Sequence, residues 1–315
     1  MYEKWKGVHT RCAFNMIQEL IPLTRPRTLA AALGPTILGA AFSYYAFGAA
    51  QGTGLAIFHT VLIFLAVVTA QIVANLWNEY KDFKSGLDAG QKVGNAGSIT
   101  RGVITPELII TMIKILMFVP IIIGLYLSAT ITWYYIPVGF LCILISFLYS
   151  GGPKPISRTP FGEISSGIAM GFAIVLITGY AWTRELSLAL LIPAISSTLL
   201  VGSIMLTNNI RDIRNDESHG RHTLPIVLGR ERALSLMSIS YIFNFIWIIA
   251  WIIVGHMTWF ALLAFLAAPL AFKTIHTLST NTDEFQLDKA MGTTAGAAMI
   301  YQLMWAVGLI MGKLI

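Results

Sequence analysis

Two short stretches carry carboxylates and amides at helical spacing, and both close long apolar runs. The first, NLWNEYKDFKSGLD, holds Asn75, Asn78, Glu79 and Asp82, followed by Gly86 and Asp88. If the preceding run continues as a helix, positions 75, 78/79 and 82 share a face, because residues three, four and seven apart align. The second, TNNIRDIRNDESHGRHTLP, holds Asn208, Asn209, Arg211, Asp212, Asp216 and Glu217. Here 208/209, 212 and 216 share a face at four-residue spacing. A ligand set made only of oxygens suits Mg²⁺, which keeps several waters and commonly binds through substrate phosphates. An ordinary solvated helix end also carries carboxylates. The pair Asn208–Asn209 at the end of an apolar run is harder to explain that way, since buried amides are costly without partners.

The elements that must position these groups are membrane helices. The chain has 315 residues, 56% hydrophobic and 11% charged, with a mean hydropathy of +0.72. A soluble domain carries about 25% charged residues, so lipid must replace water around most of this chain. Apolar runs long enough to cross about 30 Å of hydrocarbon fall near 28–50, 54–78, 107–127, 131–149, 162–182, 187–209, 232–254, 258–275 and 290–312. The expected fold is all-α: a polytopic membrane bundle of about nine helices. Residues 1–27 form an N-terminal segment and 28–315 a single membrane domain. The segment MYEKWKGVHTRCAFNMIQEL lacks the apolar core and small-residue cleavage site of a signal peptide.

Charge orients the spans. Lys4, Lys6, Arg11, Arg25 and Arg27 precede the first, and Lys81, Lys84, Lys92 and Arg101 follow the second. Lys154 and Arg158 follow the fourth; Arg211, Arg214, Arg221, Arg230 and Arg232 follow the sixth; Lys273 and Lys289 flank the loop after the eighth. The opposite loops hold only Arg184. The positive-inside rule makes the rich side cytoplasmic. Localisation is therefore expected in the cell inner (cytoplasmic) membrane, with the N-terminus and the acidic stretches on the cytoplasmic side. The net charge of +6 is spread between spans with no basic run, so nucleic acid is not an expected partner.

Both acidic stretches end even-numbered spans, and a Thr-rich segment follows each: SITRGVITP and GRHTLPIVLG. That pattern reads as two four-helix pseudo-repeats, about 28–150 and 162–275, plus a ninth helix. Facing one another, the clusters could hold two Mg²⁺ ions on a diphosphate. A diphosphate leaving group also needs cations as its charge develops. Arg25, Arg101, Lys154, Arg211 and Arg221 lie in the right loops, although each also serves orientation. Tyr149 could stack on a carbocation or an aromatic ring, or sit as an interfacial belt residue. The six histidines show no further metal-ligand cluster, Cys12 and Cys142 read as apolar fillers, and no P-loop or dinucleotide fingerprint occurs.

At these residues the chain resembles the UbiA superfamily of intramembrane aromatic prenyltransferases. Asn75, Asn78, Glu79 and Asp82 stand in its first motif, and Asp212 and Asp216 in its second, D-x-x-x-D. The resemblance is strongest to the menaquinone branch, the 1,4-dihydroxy-2-naphthoate polyprenyltransferases. RPRTLAAALGP, NEYKDFKSGLD, YSGGPKP and NNIRDIRNDESHGRHTLP carry that likeness. Glu79 departs from the pattern, standing where many members have Asp. The resemblance implies a bundle with a central cavity open to the cytoplasmic side and to lipid. It implies Mg²⁺ held by Asn78, Glu79, Asp82, Asp212 and Asp216, and substrate contacts from Asn75, Asn78, Arg25, Arg101, Asn208, Arg211 and Arg221. Asp82, Asp212, Asp216, Lys154 and Tyr149 would be catalytic. The partners would be a polyprenyl diphosphate, an aromatic acceptor and the lipid bilayer. Sister chemistries keep the same site with 4-hydroxybenzoate, homogentisate, haem or a glyceryl phosphate as acceptor. A cation transporter would also pair carboxylates in a bundle, but near the bilayer midplane rather than at helix ends on one side.

Overall fold

The computed structural model describes residues 20–87 and 97–315; Asp88, Lys92 and Cys12 of the sequence reading lie outside them. Every regular element among the described residues is helical. We number the spans α1 (Ala30–Phe47), α2 (Thr53–Ser85), α3 (Pro106–Thr130), α4 (Tyr135–Ser150), α5 (Gly162–Thr183), α6 (Leu191–Arg211), α7 (Arg230–Ile253), α8 (Trp259–Thr280) and α9 (Glu284–Leu314). Eight of them are long and apolar enough to cross a membrane, α1 together with the residues just before it. The fourth, α4, is apolar but has 16 residues, about 24 Å at the helical rise. The chain is thus a multi-pass membrane protein, and among the described residues the expected nine spans resolve into eight full ones and a short one.

Local chemistry sets the boundaries. Pro106 opens α3, where its missing N–H is no loss, and the Thr105 hydroxyl accepts from the Leu108 N–H. Asp283 caps α9 in the same way, accepting from Gln286 N at 3.1 Å. Gly86 ends α2 in the left-handed region, φ 72°, where a Cβ would be strained. With 33 residues, α2 is about 50 Å long and overshoots the hydrocarbon, carrying its last turns toward the interface.

The spans sort by what they face. Trp305, Tyr301, Leu38, Leu200 and Met237 are buried in a core shared by α1, α6, α7, α8 and α9. On α3, by contrast, Ile115, Phe118, Ile122 and Leu125 are exposed, as a lipid-facing helix requires. Between α5 and α6 the backbones nearly touch: a Cβ on Gly171 would lie 2.5 Å from Thr198 N. Small residues permit such approach between membrane helices. Alongside this contact α5 is locally a π-helix over Gly167–Phe172. Polar side chains join the interior spans, Ser197 Oγ donating to Gln302 Oε1 at 2.8 Å and Tyr301 Oη to Asn244 O at 2.6 Å.

Candidate active site

One cavity opens where α1, α2, α4, α5, α6 and α9 come together. It has about 1540 Å³ of space, its open mouth included. From α2 it receives Gln71, Asn75, Asn78 and Asp82, four residues on one face. From α6 and the short helix Ile213–Ser218 come Asn208, Asn209, Arg211, Asp212 and Asp216. Tyr149 and Ser150 close it from α4, Ser165 and Ser166 from α5, and Arg25 and Arg221 from the loops. Apolar residues line the rest, among them Ala31, Ile145, Met170, Val201, Ile204 and Met205.

Arg221 joins the two acidic stretches. Its guanidinium lies 2.8 Å from Asp82 Oδ1 and 3.3 Å from Asp216 Oδ1, while its Nε makes no hydrogen bond among the described residues. Arg211 neutralises the other side. It donates two bonds to Asp212, each 2.7 Å, one to Asn208 Oδ1 at 2.8 Å and one to Asp288 Oδ1 at 2.9 Å. Asp288 also accepts from Arg27 at 2.7 Å. Arg25 sits at φ 49°, ψ 63°, left-handed for a side-chain-bearing residue that precedes a proline. Such backbone costs on the order of 1–3 kcal/mol and concentrates at functional sites.

The amides on α2 are held from behind. Asn75 Nδ2 donates to Thr24 O at 3.0 Å, and Asn78 Oδ1 accepts from Ser150 Oγ at 2.7 Å. Their remaining polar ends are available to a ligand. Burial pushes the Asp216 carboxyl up to about 7; Arg221 pulls it back, while Asp212 and Asp82 add to the rise. A cation arriving there would favour the ionised carboxylate.

Three expected residues stand elsewhere. Glu79 points away from the cavity into the following loop and is 1% exposed. Its Oε1 accepts from the backbone N–H groups of Gly97 at 3.0 Å, Ser98 at 2.7 Å and Ile99 at 3.5 Å. On a helix, 79 is rotated about 100° from 78, and Asn78 takes the cavity side. Lys154 is exposed and does not line the cavity. Arg101 is also exposed and bonds Ser98 Oγ at 3.2 Å within its own loop. The sequence reading missed Asp288 and Glu163. A single carboxylate beside a span gives no spacing signal.

The cavity's donors are hard oxygens, the set Mg²⁺ prefers. Among the described residues no three Asp, Glu, His or Cys side chains form a cage by themselves. A positive group already bridges Asp82 and Asp216, so this space accepts a cation between the two stretches. That fits Mg²⁺ bound by a few carboxylates and completed by substrate phosphates and water.

The fold and cavity together define a multi-pass membrane protein with an all-oxygen, arginine-flanked site at one end of a helical bundle. The chain belongs to the UbiA prenyltransferase family, which matches residues 32–306. It is 35% identical over 303 residues to the 1,4-dihydroxy-2-naphthoate octaprenyltransferase of Bacillus subtilis, covering 94% of this chain and 93% of that one. The Escherichia coli protein of the same name is 26% identical over 314 residues, covering 96% and 99%. Among solved structures, a UbiA homolog from Aeropyrum pernix superposes with a TM-score of 0.67 at 17% identity, covering 90% of this chain and 97% of that one. A UbiA homolog from Archaeoglobus fulgidus bound to GPP and Mg²⁺ gives 0.61 at 16%, covering 92% and 99%.

Proposed function

We propose that this protein transfers a polyprenyl chain from its diphosphate to 1,4-dihydroxy-2-naphthoate, with loss of CO₂, in menaquinone biosynthesis. The observation that carries the chemistry is the meeting of Asp82 with Asp212 and Asp216 across one cavity flanked by Arg25, Arg211 and Arg221. The acceptor assignment is supported by the likeness to the Bacillus subtilis naphthoate octaprenyltransferase along nearly the whole chain. The basic residues on one side of the spans support a cytoplasmic-membrane protein with this cavity on the cytoplasmic side.

Asp82, Asp212 and Asp216 would hold Mg²⁺, while the amide nitrogens of Asn78 and Asn208, whose oxygens are engaged by Ser150 and Arg211, would donate to the diphosphate oxygens. Mg²⁺ held by these residues would supply positive charge to the diphosphate leaving group. Arg25 and Arg221 bring further positive charge to the same phosphates, and Arg211 shares its charge between Asp212 and Asp288. The bond between the allylic carbon and the diphosphate oxygen breaks, and its electron pair departs with the diphosphate. Tyr149 offers a π surface to the allylic cation. The electron-rich ring carbon attacks the cation, and the bond to the carboxylate breaks to return a pair to the ring and release CO₂. The apolar lining from Ile145 to Met205 takes the prenyl chain, which gains about 0.8 kcal/mol for each CH₂ kept out of water.

The test is turnover by purified protein with Mg²⁺, a polyprenyl diphosphate and a panel of acceptors. Product should form with 1,4-dihydroxy-2-naphthoate, with release of CO₂. Preferred turnover of 4-hydroxybenzoate or homogentisate would replace the acceptor assignment and leave the chemistry standing.

A further inference from the structure

Glu163 lies in the first turn of α5 and is 5% exposed. Its Oε1 accepts from Asn209 Nδ2 at 2.8 Å, and its Oε2 is buried with no hydrogen-bond partner among the described residues. Among the described residues no Lys, Arg or His forms an ion pair with it. A carboxyl group kept in a membrane span with one amide for company is costly, and such residues mark function with the partner they hold. Here the partner faces the cavity. Asn209 lines it together with Ser166 and Tyr149. The preceding residue, Gly162, lies so close to this group that a Cβ on it would stand 3.3 Å from Tyr149 Oη and 3.9 Å from Asn209 Nδ2.

An amide can point either end into a site. The Asn209 amide presents its nitrogen end to Glu163, whose Oε1 accepts from it at 2.8 Å. The carbonyl oxygen is then the end left for the cavity. We propose that Glu163 is a positioning residue that fixes the Asn209 amide so that its carbonyl oxygen accepts a hydrogen bond from a ring hydroxyl of the aromatic acceptor. This rests on the prenyl-transfer reading given above. The neighbouring amide is set the opposite way: Asn208 Oδ1 accepts from Arg211, leaving its nitrogen end free. The two adjacent asparagines thus have their opposite ends engaged, and the oxygen offered by Asn209 is matched to an O–H donor.

The experiment compares Glu163→Ala, Glu163→Gln and Asn209→Ala with the unaltered protein under steady-state conditions, varying acceptor, prenyl diphosphate and Mg²⁺ separately. Glutamine keeps an oxygen that accepts from Asn209, whereas alanine frees the amide to turn. Glu163→Ala should raise KM for the acceptor about tenfold, the loss expected for one hydrogen bond. KM for prenyl diphosphate and the Mg²⁺ dependence should stay within about twofold. Glu163→Gln should restore the acceptor KM to within about threefold. Adding Asn209→Ala to Glu163→Ala should bring no further loss, because the two act as one unit. Equal loss in the Gln and Ala variants would overturn the positioning role. So would losses that multiply in the double variant. A shift in Mg²⁺ dependence with an unchanged acceptor KM would overturn the assignment to the ring hydroxyl. Thermal unfolding, with and without Mg²⁺ and pyrophosphate, checks that the variants fold. The ratios are read with whichever aromatic acceptor the protein turns over, so a wrong acceptor and a wrong role for Glu163 give separate results.

Discussion

The ends of α2 and α6 carry similar residues and use them differently. On α2, Asn75 and Asn78 are tied to Thr24 and Ser150, and Glu79 is committed to loop backbone. Among the described residues, Asp82 alone delivers a carboxylate to the cavity from this side. On α6 and the turn after it, Asp212 and Asp216 both reach the cavity, and both are held by arginines. Asp82 shares Arg221 with Asp216; apart from that ion pair, the α2 end is built by hydrogen bonds that fix geometry, and the α6 end by opposed charges that a ligand can rearrange. A site that must admit a metal-diphosphate benefits from both: a rigid wall and a wall whose counter-ions can be exchanged.

The comparison breaks most sharply at the carboxylates. Asp82→Ala and Asp212→Ala should each lower turnover by about a thousandfold or more while the protein remains folded by size-exclusion chromatography. Near-normal turnover in either variant would remove that residue from the metal site. Glu79 gives the next largest effect, through a different parameter. Glu79→Ala leaves three backbone N–H groups without their acceptor, a penalty of about 2 kcal/mol. Turnover should fall about 30-fold with the Mg²⁺ requirement unchanged. A rise in the Mg²⁺ concentration needed for half-activity would return Glu79 to the metal.

The smallest effect sharpens the charge-built wall. With the Asp216 carboxyl raised to about 7, Mg²⁺ must displace a proton below that pH. Binding of Mg²⁺ with pyrophosphate, followed by calorimetry, should tighten about tenfold between pH 6 and 8, and Asp216→Asn should flatten this rise. The same shift has a sign for stability. A carboxyl whose pKa is raised by folding stabilises the metal-free protein below about pH 4, and that contribution is lost as pH rises to about 7. The melting temperature in EDTA should therefore fall across that window, and a flat profile would contradict the burial argument.

Much of this was legible in the residues. Runs of apolar side chains can only be membrane spans, and oxygen-bearing groups repeating every three or four positions must share a helix face. Asp82, Asp212 and Asp216 were found by that rule, and they do line one cavity. The same rule could not separate 78 from 79, because both satisfy the spacing; a backbone loop elsewhere in the chain decided between them. Lys154 and Arg101 were chosen for their loops, and a loop's side chains follow no period. Glu163 and Asp288 were invisible because their partners, Asn209 and Arg211, are 46 and 77 residues away. The span α4 was read near full length, since hydropathy marks apolar side chains and not where the helix begins.

The π-turn at Gly167–Phe172 acts as an angular spacer. It is itself the part of α5 that grips α6, through Gly167 and Gly171 against Thr198, and it follows directly on the first turn that carries Glu163 and Ser166. Removing one residue there would barely shorten the helix, yet it would swing that first turn by about 100° about its axis. The carboxyl would leave Asn209 and the serines would leave the chamber, so the wall's aim is written as a count of residues rather than as any side chain's identity.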